Sequence, residues 1–123
     1  VMGVTCGFHD HYMAVTGGLN CLDFRGKEPR AGGGVEVEQI YGTVEPLDPY
    51  LRELPLLLAG TGVKRDSGGV HTPLRERWLQ GDPQAVQGYL RCAQLAREGK
   101  FALLEGDWAA FGPAMNENHT IQR

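Results

Sequence analysis

The stretch Val4-Thr5-Cys6-Gly7-Phe8-His9-Asp10-His11-Tyr12-Met13-Ala14-Val15-Thr16-Gly17-Gly18-Leu19-Asn20 places one carboxylate, Asp10, three residues after a glycine and between two histidines. Phe8, Tyr12 and Val15 stand at i, i+4 and i+7, the spacing of one helical face, so residues 8–16 are expected to form a short helix. Gly17-Gly18 is expected to end it. Residues 19–24 (LNCLDF) mix apolar and polar positions and read as a strand. A turn rich in glycine and charge follows over residues 25–34. Val35 to Tyr41 alternates with period two, as a strand with one wet face does. The two strands are expected to pair as an antiparallel hairpin with a long loop.

Beyond the hairpin, Pro46-Leu47-Asp48-Pro49 breaks the pattern, and Tyr50 to Glu53 suits a helical turn. Leu56-Leu57-Leu58-Ala59 is apolar on both faces. It is expected to be a buried strand leading through Gly60-Thr61-Gly62 into a polar loop, Lys64 to Gly69. From Val70 the chain reads as helical, with Val70, Leu74 and Trp78 four apart. Gly81-Asp82-Pro83 is a stop followed by a start, Asp82 as the N-cap and Pro83 at the first helical position. The helix 83–98 is expected to bury Val86, Tyr89, Leu90 and Ala93, and Gly99 to close it. Lys100 to Glu105 then reads as a separate short piece ended by Gly106. Asp107 is expected to cap a last helix whose stripe of Trp108, Phe111 and Met115 reads as core. A helix, a few strands and a helical second half make an α+β layout.

The chain has 123 residues, room for one modest domain or two partial ones. Its net charge of -3 argues against a nucleic-acid or anionic-membrane surface, which needs an excess of Lys and Arg. No apolar run approaches the length of a membrane span. Nothing near Val1 has the order of a signal peptide. Cys6, Cys21 and Cys92 are odd in number and widely spaced, which suits reduced thiols in a cytoplasmic protein. The chain opens at Val1 directly into a motif and stops inside a helical pattern, so it is expected to be a fragment of a longer protein.

Several residues carry chemistry, each beside a plainer reading. From spacing alone, Asp10 is a helix-end charge or a base. A carboxylate, ionised at neutral pH, can orient and finally deprotonate a hydroxyl. His9, Asp10 and His11 could instead ligate a metal, with His71 or His119 completing the set, as in a small metallohydrolase. Helical ligand pairs favour i, i+3 or i+4 spacing, so the helix expected over 8–16 counts against this. Gly60 to Arg65 has the glycines and cations of an anion site at a strand end, or is a glycine turn with solvated charges. It lacks the order of a Walker loop. Asn116-Glu117-Asn118-His119 reads as a solvated helix face.

Taken together, four segments resemble the galactokinase, homoserine kinase, mevalonate kinase and phosphomevalonate kinase (GHMP) superfamily. They are Gly3 to Tyr12; Gly17-Gly18-Leu19-Asn20; Leu56-Leu57-Leu58 to Thr61-Gly62 with Arg65-Asp66-Ser67-Gly68; and Met115-Asn116-Glu117-Asn118-His119. The likeness is greatest to the sugar-kinase branch, especially the heptose-phosphate kinases. It implies transfer of the γ-phosphate of ATP to a sugar or sugar-phosphate hydroxyl, with Mg²⁺ offsetting the phosphate charge. It also implies Asp10 as the catalytic residue, with substrate contacts from His11, Tyr12, Thr61 and Arg65. Asn116 and His119 would lie on a nearby helix. Residues 1–50 would be the end of the kinase N-terminal domain, and residues 51–123 the beginning of its mostly helical C-terminal domain. His11 stands where the family usually has Gln. The family's glycine-serine-rich phosphate loop is not in this sequence, so ATP and Mg²⁺ would be held mainly by residues outside it. The isolated chain is therefore expected to be inactive as a kinase. A non-catalytic binding or assembly module is the alternative that the same departures permit.

Overall fold

The computed structural model describes residues 8–24, 42–51, 53–60, 62–63 and 68–122. The chain divides into two compact units, one of Gly7–Arg52 and one of Glu53–Arg123 with Val1–Cys6. Helices and a small two-stranded antiparallel sheet give an α+β composition. Among the described residues no helix is long and apolar enough to cross a membrane.

In the first unit, α1 runs His9–Thr16, β1 Asn20–Asp23 and β2 Thr43–Pro46, followed by a 3-10 turn at Asp48–Tyr50. Gly17 ends α1 at φ 62°, and its N–H donates to Met13 O at 2.9 Å. Gly18 repeats the positive φ, and a Cβ there would sit on the Asp48 carboxylate. Two successive glycines are thus required by conformation and by close approach. The strands pair Asn20 with Pro46, Cys21 with Glu45, Leu22 with Val44 and Asp23 with Thr43. The Leu47 N–H to Leu19 O bond of 2.8 Å extends the ladder, and Leu47 is buried beneath it. The antiparallel partner of β1 is therefore Thr43–Pro46; the expected partner, Val35 to Tyr41, lies outside the described residues, as does the 25–34 turn.

The face of α1 that packs differs from the expected one. Phe8 and Val15 are exposed, Val15 at 87 %. Contacts run instead through His9, Tyr12, Met13 and Thr16, at i, i+3, i+4 and i+7, which turns the helix by roughly a quarter of a revolution. His9 and Tyr12 set their rings edge-on to Phe24, with centroids 5.0 and 5.3 Å away. Met13 and Thr16 meet the Asn20 side chain. Aromatic edges and hydrogen bonds hold this face, and an apolar count does not register them.

The second unit holds α2 (Gly68–Leu79), α3 (Pro83–Glu105) and α4 (Trp108–Ile121). Asp82 caps α3 by accepting from Gln84 N at 2.9 Å and Ala85 N at 3.4 Å, and Arg77 pairs with it at 2.7 Å. Gly106, left-handed at φ 70°, ends α3, and Asp107 caps α4 through Ala110 N at 3.0 Å. These caps stand where the sequence places them.

Three expectations for this unit are overturned. First, α3 does not stop at Gly99 but continues unbroken to Glu105. Gly99 is buried, and a Cβ there would touch the Phe111 ring at 3.5 Å; it is a packing glycine. Second, the buried positions are Ala85, Leu95, Gly99, Ala102 and Leu103, while Tyr89, Leu90 and Ala93 are exposed and Val86 half-buried. Ala85, Gly88, Cys92, Leu95, Gly99 and Ala102 alternate three and four apart, a seam small everywhere but at Leu95 that lets α4 approach closely. Facing them are Phe111, Ala114, Asn118 and Ile121, all half-buried. The helices run antiparallel, since Gly88 meets Ile121 and Gly99 meets Phe111. Trp108 and Met115, expected beside Phe111 in the core, are 39 % and 50 % exposed. Third, Leu56 to Ala59 is neither buried nor a strand: Leu57 and Leu58 are fully exposed. A strand needs a neighbour for its backbone groups, and no strand among the described residues of this unit supplies one.

Candidate functional site

The candidate chemistry is carried by α1. The helix begins at His9 with Phe8 in the capping position and no side-chain capping bond. Asp10 therefore does not cap: it is an exposed acid in the first turn. On the helical wheel Asp10, His11 and Ala14 fall opposite the packed face, and all three are exposed. His9 and His11, two residues apart on the helix, are roughly 200° apart around its axis. Among the described residues no three His, Cys, Asp or Glu side chains gather as metal ligands.

The packed side of α1 is fastened at two points, and the turn that follows it at a third. Gly42 N–H donates to Tyr12 Oη at 2.6 Å, a bond between residues thirty apart in sequence. The Asn20 amide donates to Gly17 O at 2.5 Å and Thr16 Oγ1 at 3.2 Å. The Asp48 carboxylate accepts from Leu19 N–H with both oxygens, at 3.0 and 2.9 Å. Gly42 is itself pressed against Phe24, where a Cβ would lie 2.7 Å from the ring.

Asp10, His11 and Tyr12 thus share α1, but only the first two face outward. Tyr12 is half-buried with its hydroxyl engaged by the backbone. Thr61 and Arg65 lie outside the described residues. Asn116 and His119 are exposed on α4, in the second unit. Sequence reasoning missed Asp48, which read only as part of a chain break. No local signal marks it, because the N–H it accepts from belongs to Leu19, twenty-nine residues away. Cys21 and Cys92 are free thiols. Burial raises the Cys92 pKa, while a hydrogen bond with Gln122 opposes that rise.

The chain is similar to Glucuronokinase 1 of Arabidopsis thaliana, 32% identical over 123 residues, a match covering 99% of this chain and 32% of that protein. It is likewise 32% identical over 124 residues to Probable glucuronokinase 2 of the same organism, covering 99% of this chain and 31% of that one. The chain spans about a third of the length of the curated relatives it matches. No protein-family model and no solved structure matches it. The resemblance to sugar kinases read from the four segments is borne out by these relatives.

Proposed function

From a chain related to the GHMP sugar kinases over nearly its whole length, we propose that it supplies the hydroxyl-activating helix of an ATP-dependent sugar kinase. Residues 1–50 are then the end of the N-terminal kinase domain and residues 51–123 the start of the C-terminal one. The observation that carries the reading is Asp10: a motif carboxylate, on an exposed helix face, in a sequence aligned with sugar kinases from end to end. Its relatives' names make a sugar acid, D-glucuronate, the first acceptor to try.

In this mechanism the Asp10 carboxylate accepts a hydrogen bond from the sugar hydroxyl and fixes the oxygen in line with the γ-phosphorus. As the new O–P bond forms and the bond to the ADP oxygen breaks, the hydroxyl proton passes to Asp10. Mg²⁺, when bound with ATP, offsets the charge on the phosphates. The family's glycine-serine-rich phosphate loop is not in this sequence, so the kinase reading assigns ATP and Mg²⁺ mainly to residues outside it. His11, beside Asp10 on the exposed face, can exchange a hydrogen bond with a sugar oxygen. Thr61 and Arg65 complete the substrate contacts. A guanidinium suits the carboxylate of a sugar acid or the phosphate of a sugar phosphate, because it can bind either with two parallel bonds. Free thiols at Cys21 and Cys92 support a cytoplasmic location.

The test is phosphate transfer from ATP to D-glucuronate by the full-length protein and by its Asp10→Asn variant. The variant is expected to lose about 10²–10⁴-fold in kcat, the usual range for a general base, while still binding sugar. Unchanged turnover would remove Asp10 from the reaction.

A further inference from the structure

We infer that Tyr12 and Asn20 are positioning residues for Asp10, setting the rotation of α1 and so the direction in which the carboxylate points. The inference rests on the kinase reading above and assigns to Tyr12 a role other than substrate contact.

An eight-residue helix held through Phe24, Gly42 and Asn20 has little apolar area to fix it. None of the α1 residues is fully buried. Without other restraints such a helix can roll, and rolling by one residue swings a side chain by roughly 100°. Two polar fastenings oppose the roll. Near the middle of α1, Tyr12 Oη accepts from Gly42 N–H at 2.6 Å, with the ring held edge-on by Phe24. At its C-terminal end, the Asn20 amide donates to Gly17 O and Thr16 Oγ1. Thr16 in turn donates to Tyr12 O at 2.9 Å, which links the two. Asn20 opens β1 and Gly42 directly precedes β2, so each bond ties the helix to the start of a strand. Both fastenings lie on the face opposite Asp10. Neither residue is placed to meet a substrate that Asp10 meets; each acts through the orientation of α1. Misplacing a reacting group by even an ångström costs up to about a hundredfold in rate.

The test uses the full-length kinase, with Tyr12→Phe and Asn20→Ala made separately and each combined with Asp10→Asn. Tyr12→Phe removes one oxygen and keeps the ring. It is expected to lower kcat about tenfold, with the KM for sugar within twofold. In the Asp10→Asn background, which has already lost the base, it is expected to change kcat less than twofold, because its effect passes through Asp10. Asn20→Ala is expected to behave alike and serves if Tyr12→Phe does not fold. A sugar KM raised tenfold, an unchanged kcat, or losses that multiply with Asp10→Asn would each overturn the proposal. A wild-type protein without phosphate transfer, or an Asp10→Asn variant with full turnover, would defeat the kinase reading, a separate result.

Discussion

Asp10 and Tyr12 lie two residues apart on one helix and have opposite surroundings. Asp10 is exposed in the first turn, whereas Tyr12 is half-buried with its hydroxyl bonded to Gly42. A helix separates neighbours in this way because successive side chains diverge by about 100°. Substitution at the two sites should therefore give different kinetic signatures. Asp10→Asn should depress kcat strongly and leave sugar binding, followed by equilibrium titration, nearly unchanged. Tyr12→Phe should depress kcat weakly and only while Asp10 is present. The sequence shows that a carboxylate stands near a helix start. It does not show the helix's rotation, which depends on Gly42, a residue thirty positions away.

The α3–α4 pair carries most of the second unit's packing. Its seam of Gly88, Cys92, Leu95, Gly99 and Ala102 suits close approach, and Gly99 provides a direct probe. Gly99→Ala should be neutral or stabilising by up to about 1 kcal/mol, since Ala is the better helix former and its Cβ would make ordinary contact with Phe111. Gly99→Leu should cost about 1–3 kcal/mol by overpacking, measured by urea denaturation. If Gly99 closed the helix, Ala there would destabilise instead. Arg91 spans the pair, bonding both Glu117 oxygens at 2.6 and 2.9 Å and Glu98 at 2.9 Å. These groups are exposed, so the ion pairs fix register more than they add stability. Hydrogen bonding to Arg91 lowers the Glu117 pKa, and hydrogen bonding to Arg77, then to the α3 backbone, lowers that of Asp82; partial desolvation opposes both. A carboxyl whose folded pKa is depressed contributes stability above its unfolded pKa and loses it as pH falls through the folded one. Thermal stability of the chain should therefore decline as pH drops below about 4. Glu117→Gln with Asp82→Asn should flatten that decline, as scanning calorimetry across pH 2–7 would show, the pH values being chosen to bracket roughly the carboxylate range.

At the scale of the whole molecule, the chain divides into two units, and on the kinase reading each would supply part of the enzyme. The first presents Asp10 on α1; the second presents α4 and the fully exposed Leu57 and Leu58. The relatives are about three times as long as this chain. Phosphoryl transfer depends on holding the γ-phosphate in line with the acceptor, and the phosphate loop that the family uses for this is not in the sequence. Residues 1–123 produced alone should therefore transfer no phosphate from ATP to D-glucuronate above the uncatalysed rate in a coupled ADP-release assay. On the kinase reading, the full-length protein should do so readily. Turnover by the short chain would place the nucleotide site within these residues.

What the sequence determined by itself is local. Gly17-Gly18 ends α1, Asp82-Pro83 and Asp107 start α3 and α4, and Gly106 closes α3, because caps and positive φ angles are set by a few adjacent residues. The four family segments were also legible, since their order lies in the chain itself. Only the tertiary structure decided which faces are inside. Phe8 and Val15, and Tyr89, Leu90 and Ala93, stand at helical spacing and still face outward, because the partners of α1 and α3 sit elsewhere around their axes. Leu56 to Ala59 has the composition of a buried strand, yet among the described residues of its unit no strand pairs with it. Burial depends on which neighbour arrives and from which side. For Asp10 that neighbour is Phe24, with Gly42 and Asn20, packed against the opposite side of α1 and leaving the carboxylate exposed.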